Sequence, residues 1–153
     1  MLLYIARNII LNFKLSGKLN VLKKRNSLRV YSEKMKILIC EDDQLAMNML
    51  SFIMGKEGFK SDTAEDGNKA LTLLQKTVYD LILMDIHLPF HSGLEVIQYL
   101  RSDLKMETPV LVLTAFSDLQ TQRQAEELGI SGYIVKPFDP SELIRQISLI
   151  FNM

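Results

Sequence analysis

Leu81-Ile82-Leu83-Met84-Asp85 places four large apolar residues directly before a carboxylate. A half-exposed strand alternates apolar with polar residues, so an unbroken run of this kind fits a strand covered on both faces, at the centre of a parallel sheet. The acid that ends it would be costly to bury without a partner. Its flanks carry a different period. Residues 66–77 put Ala70, Leu71, Leu74 and Val78 on one helical stripe, and residues 93–102 carry Leu94, Ile97 and Leu100 in the same way.

Working outward, the alternation of strand and helix continues. Residues 37–40 (Ile-Leu-Ile-Cys) form a short buried run, and residues 44–56 follow as a helix with Ala46, Met47, Leu50, Ile53 and Met54 inward. Gly58 closes that helix, and residues 59–64 form a weaker, half-polar strand. Beyond the central run, residues 109–113 supply a fourth strand and residues 118–128 a helix ending at Gly129. Residues 133–135 make a fifth strand, and residues 140–151 a last helix with Leu143, Ile144, Ile147, Ile150 and Phe151 inward. Five strands alternating with five helices require crossover connections, and hence an α/β fold with a parallel sheet covered on both sides.

The chain divides into residues 1–34 and residues 35–153. Its 153 residues have zero formal net charge, but the two segments differ sharply. Eight Lys/Arg stand against Glu33 alone in the first, and seventeen acids against ten bases in the second. So acidic a domain is a poor match for sequence-independent nucleic-acid binding, which rests on neutralising phosphates. It suits a cation or a basic protein partner. The leader is expected to be either disordered or the product of an upstream start, with Met35 the true first residue. A basic amphipathic helix over residues 2–14 is the competing reading. Cys40 is the single cysteine, which excludes an internal disulfide and fits a reducing, cytoplasmic setting. No apolar stretch approaches the roughly 18 residues a transmembrane helix needs.

In open α/β sheets ligands bind beyond the carboxyl ends of the strands. The residues at those positions are Glu41, Asp42 and Asp43 after the first run, Asp85 after the third, Thr114 after the fourth and Lys136 after the fifth. Clustered carboxylates either take up a proton or bind a cation, and an all-oxygen set suits magnesium. An Asp beside such an ion is a competent nucleophile toward phosphorus. Lys136 and the Thr114 hydroxyl can then serve the phosphoryl oxygens. Each residue alone has a plainer use. Asp42 or Asp43 would cap the following helix, Thr114 would satisfy a backbone group, and Lys136 before Pro137 would belong to a turn. Their joint occurrence at successive strand ends favours a site.

These same residues resemble the signatures of bacterial response-regulator receiver domains. Residues 37–43 resemble the opening of such domains. Residues 83–89, with Gly93 and Glu95, resemble their phosphorylation segment. Residues 112–115 and 132–138 resemble the remaining two signatures. The intervals agree as well, with 43 residues from Asp42 to Asp85, 29 more to Thr114 and 22 more to Lys136. The resemblance implies a flavodoxin-like doubly wound sheet of strand order 2-1-3-4-5. Asp85 is then the phosphoacceptor, and Glu41, Asp42, Asp85 and the His87 main-chain carbonyl hold Mg2+. Thr114 and Lys136 bind the phosphoryl oxygens, Thr114 and Tyr133 form the switch, and Lys136–Pro137 is cis. Asp43 is left to cap a helix, and the His87 side chain stands at the rim. Phe116 is large for its place and would slow hydrolytic water.

The function so implied is that of a single-domain regulator, not an enzyme acting on external substrates. A histidine kinase or histidine phosphotransfer protein would supply the phosphoryl group. Output would pass to a separate protein, or to a second copy, through the fourth helix, fifth strand and fifth helix, without direct DNA contact. The main alternative is the receiver half of a DNA-binding transcriptional regulator. An aspartyl-phosphate hydrolase is disfavoured because His87 stands where such enzymes carry a second Asp. A pseudo-receiver is disfavoured because every reactive group is present.

Overall fold

The computed structural model describes residues 35–115 and 118–152. The expectations for the leader and for Phe116 fall outside these residues. The elements are β1 (Lys36–Cys40), α1 (Gln44–Lys56), β2 (Lys60–Ala64), α2 (Gly67–Lys76), β3 (Leu81–Met84), α3 (Gly93–Ser102), β4 (Val110–Thr114), α4 (Leu119–Glu127), β5 (Gly132–Val135) and α5 (Pro140–Ile150). All four strand pairings are parallel, in the expected order β2-β1-β3-β4-β5.

Strand alternation splits the core in two. Ile37 and Ile39 of β1, Leu81 and Leu83 of β3, and Leu111 and Leu113 of β4 meet α1 and α5 through Leu50, Ile53, Met54, Leu143 and Ile147. On the other face, Leu38, Ile82, Met84, Val110 and Val112 meet α2, α3 and α4 through Ala70, Leu74, Val96, Ile97, Leu100 and Ala125. Residues 81–84 are fully buried, as their uninterrupted apolarity requires. Cys40 lies in the second cluster, where burial pushes its thiol pKa up and leaves it inert.

One inward assignment and one strand boundary need correction. Val78 was expected inside, but α2 ends at Lys76 and Val78 is 72% exposed. Tyr79 is buried in its place, donating its hydroxyl to Asp62 at 2.7 Å. Thr114 is the last residue of β4, not the residue after it, and pairs with Val135.

Every helix begins with a side-chain cap. Asp43, Asp66, Asp118 and Asp139 accept from the first-turn amides of α1, α2, α4 and α5, and Ser92 forms a capping box with Glu95 at α3. These caps lie at the carboxyl edge of the sheet, so four of that edge's acids have a structural use. No helix among the described residues is long and apolar enough to cross a membrane.

The start of α3 lies hard against the end of β3. The Gly93 amide donates to the Ile86 carbonyl at 2.8 Å, and a Cβ at Gly93 would overlap the Asp85 carbonyl oxygen. Gly93→Ala is therefore expected to cost about 1–3 kcal/mol of stability, as overpacking does. Gly55→Ala, whose Cβ would meet nothing within 4 Å in a helix interior, should instead gain about 0.5–1 kcal/mol. Urea midpoints at constant m-value check both.

Candidate functional site

Once the capping acids are set aside, Glu65 lies beside Lys69, and Glu41, Asp42 and Asp85 gather at the ends of β1 and β3. They arrive by register. Cys40 pairs with Met84 in the sheet, so the next residues of β1 and β3, Glu41 and Asp85, emerge side by side. Backbone bonds continue past the pairing, with Asp85 N–H donating to Cys40 and Glu41 N–H to Ala64. The three carboxylates offer oxygens that all lie within 4.8 Å of one another. Glu41 and Asp85 are 1% and 6% exposed, whereas Asp42 faces solvent.

Two buried carboxylates this close need compensation. Lys136 supplies it. Its Nζ donates to Glu41 Oε2 at 2.5 Å and to Asp85 Oδ2 at 2.6 Å. The reach is fixed by an adjacent backbone bond, Lys136 N–H to the Thr114 carbonyl at 2.7 Å, and the Lys136–Pro137 bond is cis as expected. The remaining carboxylate oxygens are also served. Asp85 Oδ1 accepts from the His87 amide at 2.9 Å, and Glu41 Oε1 from the Asp43 amide at 3.3 Å.

The electrostatics follow from burial and pairing. Burial raises the Glu41 pKa above its ordinary value. The Lys136 hydrogen bond and charge oppose that rise, and the Asp85 charge adds to it. For Lys136, burial is the largest single influence and acts downward. The hydrogen bonds and charges of Asp85 and Glu41 together outweigh it and hold the ammonium above the ordinary lysine value. When ionised, three carboxylates against one ammonium leave two negative charges over. That surplus, on oxygen donors alone, matches a hard divalent cation.

The sequence-predicted residues fall into two groups. Glu41, Asp42, Asp85 and Lys136 converge directly, and Asp43 is the α1 cap, accepting from Ala46 at 2.7 Å. Thr114 is fully buried beside them, its Oγ1 3.5 Å from His87 Nδ1. Tyr133 does not join the carboxylates. It is half-buried against the α2–α3–α4 face, where it pairs with Val112 and so shares a sheet face with Thr114. Burial, and then the Asp118 charge, raises its hydroxyl pKa. The His87 amide as a donor to Asp85 has no sequence signature, because any non-proline residue there has that group.

Comparisons with known proteins identify the family. A model of the response regulator receiver domain matches residues 37–148. The transcriptional regulatory protein DltR of Streptococcus agalactiae is 36% identical over 115 residues, covering 75% of this chain and 51% of its own length. The chain thus spans about half the length of the curated relatives it matches. Among solved structures, the Francisella response regulator 1452 receiver domain superposes with a TM-score of 0.72 at 27% identity, covering 78% of this chain and 98% of its own. The receiver domain of the Pseudomonas aeruginosa sensor histidine kinase PA1611, solved with a magnesium ion coordinated in its active site cleft, gives 0.71 at 25% identity over 78% and 98%. Matched over residues 37–148 in sequence and across the described fold, the chain belongs to the response regulator receiver domain family of two-component signalling.

Proposed function

We propose that Asp85 of this receiver accepts a phosphoryl group from a phosphohistidine on a histidine kinase or histidine phosphotransfer protein, in a reaction that depends on Mg2+. The observation that carries this is the arrangement at Asp85 itself. Its carboxylate is nearly buried, one oxygen is oriented by the His87 amide and the other by Lys136, and Glu41 and Asp42 stand within 4.8 Å. In the transfer, an Asp85 oxygen forms a bond to phosphorus while the phosphorus–nitrogen bond to the donor imidazole breaks. The electron pair leaves with the imidazole nitrogen. Such a transfer needs positioning and charge neutralisation more than covalent assistance.

Glu41, Asp42 and Asp85, with the His87 main-chain carbonyl, would hold the ion. When bound, Mg2+ supplies positive charge against the phosphoryl oxygens. Lys136 already lies on Asp85 and can shift its ammonium to a phosphoryl oxygen without leaving the pocket. The buried Thr114 hydroxyl can donate to another. The chain thereby modifies itself and turns over no external substrate.

Thr114 also links the site to the surface. It shares a sheet face with Tyr133 and with the helices α2, α3 and α4. Drawing Thr114 toward a phosphoryl group on Asp85 would vacate space that Tyr133 can fill. That is a population shift biased by contacts made only in the phosphorylated state. The surface affected is α4, β5 and α5, and a separate protein or a second copy reads it. A second reading, as the receiver half of a DNA-binding regulator, is favoured by the transcriptional regulators among the relatives, of which the chain spans about half. The length of the native protein in its own cells separates the two.

Asp85→Asn should abolish labelling by acetyl phosphate in Mg2+, followed by intact mass, because an amide is a poor nucleophile. Undiminished labelling would overturn the assignment. Asp42→Asn should weaken Mg2+ binding by about tenfold or more, the scale at which even supporting residues matter. Asp43→Asn should leave it nearly unchanged, since Asp43 is a cap. A magnesium titration followed by NMR ranks the pair, and equal losses would shift the ligand set by one residue. Thr114→Ala should still be labelled, but with smaller phosphorylation-dependent shifts across α4, β5 and α5.

A further inference from the structure

The loop from Ile86 to Ser92 leaves the end of β3 and returns to it. The Gly93 amide bonds the Ile86 carbonyl, and Leu88 is buried beneath the loop. At its turn, Pro89, Phe90 and His91 make a tight three-residue reversal, in which the His91 amide donates to the Pro89 carbonyl at 2.9 Å and Phe90 has φ +67°. This positive-φ form of the γ-turn is rare and strained, and glycine is the residue that adopts it without steric cost. The turn is held from a second side, since the Gly67 amide also donates to the Pro89 carbonyl at 3.0 Å. A Cβ at Gly67 would overlap the His91 carbonyl oxygen, so the two loops meet in close contact.

The Phe90 side chain contributes little to the fold, because the residue is 77% exposed. A single exposed apolar residue is ordinary on a protein surface. An exposed aromatic ring placed on a strained turn is not, because strain of this kind persists where the surroundings enforce it and gathers at functional sites. The other non-glycine residues with positive φ among the described residues are Lys105 and Asn152. Neither carries a large apolar side chain.

The position of Phe90 points to what meets it. Phe90 is three residues from Gly93, so its Cα lies within about 11 Å of the point where α3 touches the Asp85 carbonyl. A protein donor of ordinary interface size covers about 800 Å² per partner, a disc of about 16 Å radius, so one centred over Asp85 covers Phe90 as well. Aromatic side chains are the residues that most often anchor such contacts. Resting on the proposed transfer to Asp85, we infer that Phe90 is a contact and specificity residue for the phosphohistidine-bearing protein, held outward by its strained turn so that the ring packs against that partner on docking. A small phosphodonor, which needs only the pocket, does not use it.

The test compares two donors. One is acetyl phosphate. The other is the histidine-bearing domain of a sensor kinase, autophosphorylated with ATP and chosen from a panel because it labels the wild-type chain. Phe90→Gly should lower kcat/KM for transfer from the kinase domain at least about tenfold, the scale of an interface anchor. It should leave acetyl phosphate labelling within about twofold and the Tm equal or higher, since glycine relieves the turn. Phe90→Tyr should restore transfer. Val78→Thr, which changes an exposed apolar residue at the opposite edge of the sheet, should alter neither donor. Unchanged transfer from the kinase domain to Phe90→Gly overturns the proposal. So does an equal loss with both donors, which would mean that the turn shapes the pocket. Continued labelling of Asp85→Asn by acetyl phosphate would instead break the assignment of the site, whatever Phe90 does.

Discussion

The ammonium of Lys136, held between the buried carboxylates of Glu41 and Asp85, is the interaction on which the arrangement of this domain turns. Strand pairing brings the two acids out of β1 and β3 side by side, and burial makes their charges costly. A partner lost from a buried ion group leaves an uncompensated charge worth several kcal/mol. The partner comes from β5, which is separated from β3 by β4. In the order 2-1-3-4-5, the lysine after β5 reaches past β4 to both acids. The electrostatics of the site and the topology of the sheet are therefore one requirement.

Alternation along the strands then divides the chemistry from its readout. Glu41, Asp85 and Lys136 continue the parity of Ile39, Leu83 and Ile134, the set that packs toward α1 and α5. Thr114 continues the parity of Val110 and Val112, the set that packs toward α2, α3 and α4, and Tyr133 lies on that face too. On the proposed reading, a phosphoryl group on Asp85 would act on the α4 side through Thr114, across the sheet edge. A hydroxyl that is fully buried has little alternative to moving as a unit with its neighbours, and this gives a local charge change a route into packing.

The edge that carries this site is crowded with acids, and four of them are caps. Asp43, Asp66, Asp118 and Asp139 are each committed to a helix amide. Local rules are obeyed at nearly every such position, with glycine at the positive-φ ends Gly58 and Gly129. Phe90 departs from those rules. Lys105 and Asn152 share the positive φ, but Phe90 is the one of the three in the loop that follows Asp85, where a functional demand is expected.

Much of this was legible in the sequence. The unbroken apolarity of residues 81–84 identified a central strand, the spacing of strand and helix periods identified an α/β sheet, and the motifs located Glu41, Asp42, Asp85, Thr114 and Lys136. These are local patterns, written in the period of side chains along one segment. Tertiary structure decided what depends on distant partners. Asp43, not Asp42, caps α1, because φ and ψ at the helix start aim only that side chain at Ala46. Tyr79, not Val78, turns inward, because α2 stops early and Asp62 of β2 receives the hydroxyl. The positive φ of Phe90 occurs in a loop that the Gly67 and Gly93 amides bond at Pro89 and Ile86, which nothing in a Pro-Phe-His triplet announces. Lys136 and Glu41 are 95 residues apart, and their pairing follows from strand order, a property of the assembled sheet that no single segment encodes.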